Sequence, residues 1–207
     1  IYELINPLAE FKSVPLKEWL EIKKEFRLHK WRYYMKSEKI LLNLLWILPF
    51  LTVLFSIPIK ENSPNLKRFH LASAGVVLLS SIYLLIQVFQ NTITNPSSQI
   101  QLLYETKLNW LNAISAKYFI GIDALSSMML VLAAIIIFTG ILATWRLEKG
   151  QKVFLGFFQI LAASVYGVFI SFDLVLFFVF YEMEALCMYL LIAGYGSGNK
   201  DYGAKKL

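Results

Sequence analysis

Charge is scarce in this 207-residue chain: Asp, Glu, Lys and Arg make up 16% of it, where an ordinary soluble domain carries about 25%. Cysteine is scarcer still. The lone Cys187 excludes an intrachain disulfide and a cysteine-held metal cluster. The two histidines, His29 and His70, lie far apart and outside the long apolar runs. Haem ligation between spans therefore has no ligands, and redox chemistry inside the chain is not expected. No phosphate loop and no nucleophile triad can be assembled. The basic excess of +6 sits at segment ends and in an N-terminal arm. That distribution suits side chains that snorkel to a membrane surface and lacks the basic–aromatic pattern of a nucleic-acid binder. The chain opens on polar, charged sequence rather than a signal peptide, and its first residue is Ile1, so a true start farther upstream is expected.

What the chain does have is apolar sequence, 57% of its residues, in long charge-free runs. A helix of about 20 such residues crosses the ~30 Å hydrocarbon core of a bilayer. Five runs predict an all-α integral membrane protein with spans near 40–59, 69–89, 124–145, 153–170 and 173–195. Pro49 and Pro58 are tolerable in the first, because neighbouring helices re-satisfy freed backbone groups. Small residues in the second (Ser73, Gly75, Ser80, Ser81) favour close packing, and His70 at its mouth is expected to be interfacial. Residues 60–68 read as a short polar loop, 90–117 as a longer polar connection and 146–152 as a tight charged loop. Asp123 stands where the third span needs an N-cap, and Ser171 or Asp173 caps the fifth. The 171–173 turn is so short that spans four and five must form an antiparallel hairpin.

Residues 1–39 differ from the 40–207 membrane domain. They hold nine Lys/Arg and six Asp/Glu, interleaved with Trp19, Phe26, Trp31, Tyr33 and Tyr34. This amphipathic arm reads as a charged helix, capped by Ser13, from Pro15 to about Tyr34. It lies in the headgroup region, against a partner subunit, or in solvent. Basic residues in the short loops favour an outward N-terminus, and those of the arm favour the reverse.

The chemistry centres on the fifth span. Glu182 lies nine residues after Asp173, about 13 Å down a helix of 1.5 Å rise. That is close to the bilayer midplane, where a carboxylate is costly and marks a functional site by default. Such a Glu either stays protonated or ionises beside a cation, and a group able to do both suits a proton relay. The plainer reading is a neutral Glu hydrogen-bonded to a neighbouring helix. Glu184 is the second acid. Two residues on is about 200° around a helix, so Glu182 and Glu184 face nearly opposite ways and cannot form one acid–base pair. Glu184 is either a structural hydrogen bond or a second relay position. Tyr181, Cys187, Met188 and Tyr189 read as packing residues.

The segment GVFISFDLVLFFVFYEMEALCMYLLIAGYG (167–196) resembles the fourth-to-fifth-helix hairpin of the antiporter-like membrane subunits of respiratory complex I, and subunit 4 best. IGIDALSSMMLVL (120–132), ATW (143–145) and YGAKKL (202–207) match further pieces in the right order. The resemblance runs from about residue 40 to the end, and residues 1–39 have no counterpart; a typical member begins near Met35. It implies that this chain is the N-terminal part of a fourteen-helix antiporter-like bundle built from two inverted five-helix repeats, each with a broken helix. In that family a Glu on the fifth helix pairs with a Lys on a later one, and the pair couples quinone reduction to proton translocation. Glu182 falls on that Glu by the pattern Tyr-Glu-Met before Met-Tyr-Leu-Leu-Ile, and its implied role is to modulate the pKa of the partner Lys. Glu184 stands where the family is normally uncharged. Cys187 stands where subunit 4 usually has Pro and subunit 5 often has Cys. Lys205 and Lys206 match the lysine entering helix six, and the central lysines lie beyond this chain.

The resemblance further implies a proton-translocating, non-redox subunit of NADH:ubiquinone oxidoreductase. NADH, FMN, iron–sulfur clusters and quinone would then be bound elsewhere in the complex, with no cofactor or metal on this chain. Implied partners are the other complex I membrane subunits, the lipid bilayer and, if the gene is split, a chain carrying the remaining helices; no nucleic acid is among them. Frequent Ile, Lys, Asn, Phe and Tyr suit an AT-rich organellar genome, which points to a mitochondrial inner membrane, with a bacterial inner membrane as the alternative. Two other readings stand beside this one: a sodium/proton antiporter or membrane-bound hydrogenase subunit of the same superfamily, and a purely structural membrane subunit.

Overall fold

A computed structural model describes residues 39–61, 63–94, 102–111, 116–146 and 150–196. The expected arm helix, the tail with Lys205 and Lys206, and parts of the loops near 62, 95–101 and 147–149 lie outside the described residues. Among those described, five helices are long and apolar enough to cross a membrane: α1 Lys39–Ser56, α2 Pro64–Thr94, α3 Ala124–Ala143, α4 Gln151–Ile170 and α5 Leu174–Tyr195. The fold is that of a multi-pass helical membrane protein. A short 3-10 turn, Thr144–Arg146, ends α3.

One core runs through the bundle. Leu42 and Leu45 of α1, Ala74 and Leu84 of α2, Leu130 and Ile137 of α3, and Ala162 and Ile170 of α4 are buried together. Lipid tails are as apolar as leucine, so burial alone does not hold such helices together; close van der Waals contact does. Glycines supply that contact. A Cβ on Gly140 would stand 2.6 Å from the Phe158 ring, and one on Gly167 would overlap the Phe180 ring. The end of α5 returns to the start of α4: the Tyr195 hydroxyl donates to the Gly150 carbonyl at 2.6 Å. Helices α4 and α5 are therefore antiparallel, as their short connection requires.

Two expectations are corrected. The 90–117 connection is not simply polar coil. Helix α2 continues to Thr94, and an antiparallel pair of strands follows, β1 Leu103–Leu111 and β2 Ala116–Ile122. The signal was present: Tyr104, Thr106, Leu108 and Trp110 alternate with Glu105, Lys107 and Asn109, the period of a half-buried strand. The second correction concerns the start of α2 and the exposure of His70, which is fully buried against the bundle. The helix begins at Pro64 rather than near residue 69. His70 is thus well inside α2, on its inner face.

The strand pair is docked on the bundle by polar contacts. The Tyr118 hydroxyl donates to Asn43 Oδ1 at 2.6 Å and accepts from Trp46 Nε1 at 3.2 Å, tying β2 to α1. Burial pushes the Tyr118 phenol above its ordinary pKa, with the Trp46 hydrogen bond working against that. At the opposite end of the bundle, Lys152 Nζ donates to the carbonyls of Ile57 (2.5 Å) and Ile59 (3.0 Å), and Lys67 donates to the Trp145 carbonyl.

Candidate functional site in helix α5

Helix α5 starts where it does because of Asp173. Its Oδ1 accepts from the backbone N–H groups of Val175 (3.0 Å) and Leu176 (3.2 Å), two of the donors that a helix N-terminus leaves without partners. Oδ2 accepts from Lys117 N of β2 at 3.2 Å. The Leu176 bond above all holds the Asp173 carboxyl below its ordinary pKa, against a smaller opposing effect of desolvation. Asp123 caps α3 likewise, accepting from Ser126 N at 2.7 Å and Ser126 Oγ at 2.5 Å. Both aspartates are caps, each at the start of a helix long and apolar enough to cross a membrane.

Beyond the cap, one stripe of α5 is buried: Leu176, Phe180, Cys187 and Leu191, spaced by four and seven residues so that they share a face. Phe180 packs edge-on to Trp46 of α1, with ring centroids 5.3 Å apart. Cys187 and Leu191 meet Leu161 of α4. At 100° per residue Glu182 lies about 200° from Phe180, almost diametrically away from the buried stripe. Glu184 lies about 40° from Phe180, on its flank. The burial agrees: Glu182 is exposed and Glu184 half-buried. Neither carboxylate has a hydrogen-bond or ion-pair partner among the described residues. The structure does not bring the two acids together.

The face that Glu182 occupies is otherwise apolar. Phe178 stands one turn before it and Tyr189 two turns after, 57% and 45% exposed. Tyr181, Met188 and Tyr189, expected to pack, lie exposed on this chain; Cys187 does pack. Across the most apolar 18 residues of each helix, 17% of α5 is buried against 50% of α4. So α5 presents an uncovered side with one carboxylate about 12 Å from its start. An ionisable group at such a depth needs a cation, a donor or water beside it, and the residues described here supply none.

Sequence reasoning did not single out Gln159. It is the only amide in α4 beyond the first residue, Gln151; it is buried at 1% exposure, and its Nε2 donates to the His70 carbonyl at 3.1 Å. A lone glutamine within an apolar run was the available signal.

Comparison with known proteins follows the same lines. No family model matches the chain. The chain is 32% identical over 164 residues to NADH-quinone oxidoreductase subunit M of Buchnera aphidicola, covering 78% of this chain and 32% of the relative. It is 28% identical over 150 residues to an NAD(P)H-quinone oxidoreductase chain 4 of Microcystis aeruginosa, covering 72% of this chain and 26% of the relative. This chain is homologous to the chain 4 and subunit M proteins. It spans about a quarter to a third of the length of the curated relatives it matches. Among solved structures, respiratory complex I from Thermus thermophilus with bound NADH contains a similar fold, with TM-score 0.64 and 21% identity over 79% of this chain and 31% of the other. An archaeal respiratory membrane complex, the membrane-bound sulfane sulfur reductase, matches with TM-score 0.64 and 18% identity over 80% of this chain and 32% of the other. The chain 4 homologue thus has the helical fold of these respiratory membrane arms.

Proposed function

We propose that this chain is a proton-translocating membrane-arm subunit of an NADH-quinone oxidoreductase, and that Glu182 is a carboxylate of its ion path. The supporting observation is the position of Glu182: mid-helix, on the uncovered face of α5, with no partner among the described residues. Relatives named as chain 4 and subunit M of quinone oxidoreductases supply the context. In this reading the chain carries no redox centre; flavin, iron–sulfur clusters and quinone belong to other subunits. Its partners are the neighbouring membrane subunits and the helices that complete the bundle, whether these lie on the same polypeptide or on a second one. The inner mitochondrial membrane is the proposed location, on compositional grounds, while the relatives cited are bacterial.

The mechanism follows from electrostatics. A lysine facing Glu182 from a covering helix stays protonated while the carboxylate is within about 4–6 Å, and releases its proton when the two separate. Glu184, on the flank of the buried stripe, serves as a structural hydrogen-bonding group or a second station on the same path. The test is Glu182→Gln in the assembled complex, which keeps shape and removes charge. Positioned proton-transfer groups contribute roughly 10²–10⁴-fold, so pumping per electron pair and coupled turnover should fall about tenfold or more while assembly is retained. Pumping at the unaltered ratio would sink the ion-path role.

A second reading rests on the equal TM-score, 0.64, of the sulfane sulfur reductase complex: a subunit of a related respiratory complex or sodium/proton antiporter with a different electron donor or coupling ion. Activity that depends on sodium and persists without NADH would select it.

A further inference from the structure

The inner half of the bundle, away from Glu182, holds a polar cluster that the ion-path reading does not use. His70 of α2 is 0% exposed, and neither ring nitrogen has a partner among the described residues. Gln159 of α4 reaches the His70 backbone carbonyl with Nε2, which leaves its Oε1 buried and without a partner. Ser73 lies one turn along α2 from His70 and so on the same face. Its Oγ is 2.6 Å from Thr52 Oγ1 of α1, which also lies 2.8 Å from the Leu48 carbonyl. A hydroxyl has one proton. With Thr52 donating to the Leu48 carbonyl, Ser73 donates to Thr52, and both oxygens keep free acceptor capacity. Three helices therefore contribute buried donors and acceptors to one neighbourhood.

We infer that His70, Gln159 and the Thr52–Ser73 hydroxyl pair border an internal water site between α1, α2 and α4. A buried amide or imidazole atom without a hydrogen bond costs on the order of 1–3 kcal/mol, and buried waters occur where several such groups converge. The complement is that of water: a neutral imidazole offers one donor and one acceptor, and the Gln159 amide offers an acceptor. The two ring nitrogens point away from one another, so a short chain of waters serves them, not a single one. Lysines do not substitute: Lys67 and Lys152 reach backbone carbonyls of Trp145, Ile57 and Ile59. Access is short from the end carrying the 57–61 turn, because His70 lies six residues, about 9 Å, inside α2. Gln151, the first residue of α4, adds a buried unpartnered amide at that same end.

The experiment is deuterium exchange at the His70 ring C2–H in the intact purified complex, read by mass spectrometry. After the rate is normalised for the imidazole pKa read from the same rate-against-pH profile, a water-bearing site should exchange within about a hundredfold of an unstructured histidine peptide, because hydroxide must reach the ring. Slower exchange means a dry interior and overturns the proposal. Gln159→Leu removes the amide acceptor and should slow the exchange at His70 at least about tenfold; an unchanged rate removes Gln159 from the site and overturns the arrangement. Neither readout depends on ion translocation, so this proposal and that for Glu182 can fail separately.

Discussion

Asp173 and Glu182 are carboxylates nine residues apart in one segment, with opposite circumstances. Asp173 is engaged by three backbone N–H groups, on Val175, Leu176 and Lys117, whereas Glu182 has no such partner among the described residues. The Asp173 pKa is lowered in the folded chain, mainly by the Leu176 bond. A depressed carboxylate stabilises the fold above the unfolded value, and that contribution is lost as pH falls through the folded value. Protection of the Leu176 and Lys117 amides should therefore survive acidification past pH ~3.9, the ordinary Asp value, and fail only below it, as amide exchange against pH would show. Asp173→Ala should speed exchange at Leu176 about tenfold at neutral pH, and Asp173→Asn, which still caps, by clearly less. Equal effects would mean that charge rather than capping geometry holds the helix start. Both aspartate caps were legible in the sequence, because Asp directly before a long apolar run has few other uses. His70 was not, because burial depends on where α2 begins, and propensity places helix starts poorly.

At the scale of the element, α4 and α5 approach closely because Gly167 leaves room for the Phe180 ring. Adding a single methyl there overpacks the seam. Gly167→Ala should cost about 1–3 kcal/mol, seen as a lower unfolding temperature of the purified complex. Phe180→Leu in the same chain should recover part of that loss, since contacting sites are not additive; strict additivity would show that the contact is not the cause. The antiparallel α4–α5 pair was legible from the three-residue turn alone. The strand pair was not read, although β1 alternates, because its polar positions carry charge and the stretch lies between two long spans. Tyr104, at φ 58° the one non-glycine residue with positive φ among those described, breaks the regular pairing near Leu103, and no pattern in the sequence announces it.

For the whole molecule, the uncovered side of α5 matters most. Apolar runs made five spans legible, but hydropathy says nothing of what lies against the exposed side of α5, so no partner for Glu182 could be read from this sequence. If other helices cover this side, a benzophenone amino acid at Phe178, one turn before Glu182, should form a protein adduct in the assembled complex. Adducts with lipid alone would mean that Glu182 faces the bilayer, and would remove the basis for an ion path there. The two ends of α5 are fastened differently from its flank: Asp173 is joined to Lys117 N, and the Tyr195 hydroxyl to Gly150 O. Mechanically, α5 is a beam clamped at both ends and unsupported along one side. Rigid sliding or whole-helix tilt would break a clamp, whereas bowing or twisting between them breaks none. Deflection of a clamped beam is greatest toward its middle third, and there, about 12 Å along a helix of roughly 33 Å, stands Glu182, the outward-facing carboxyl group of α5.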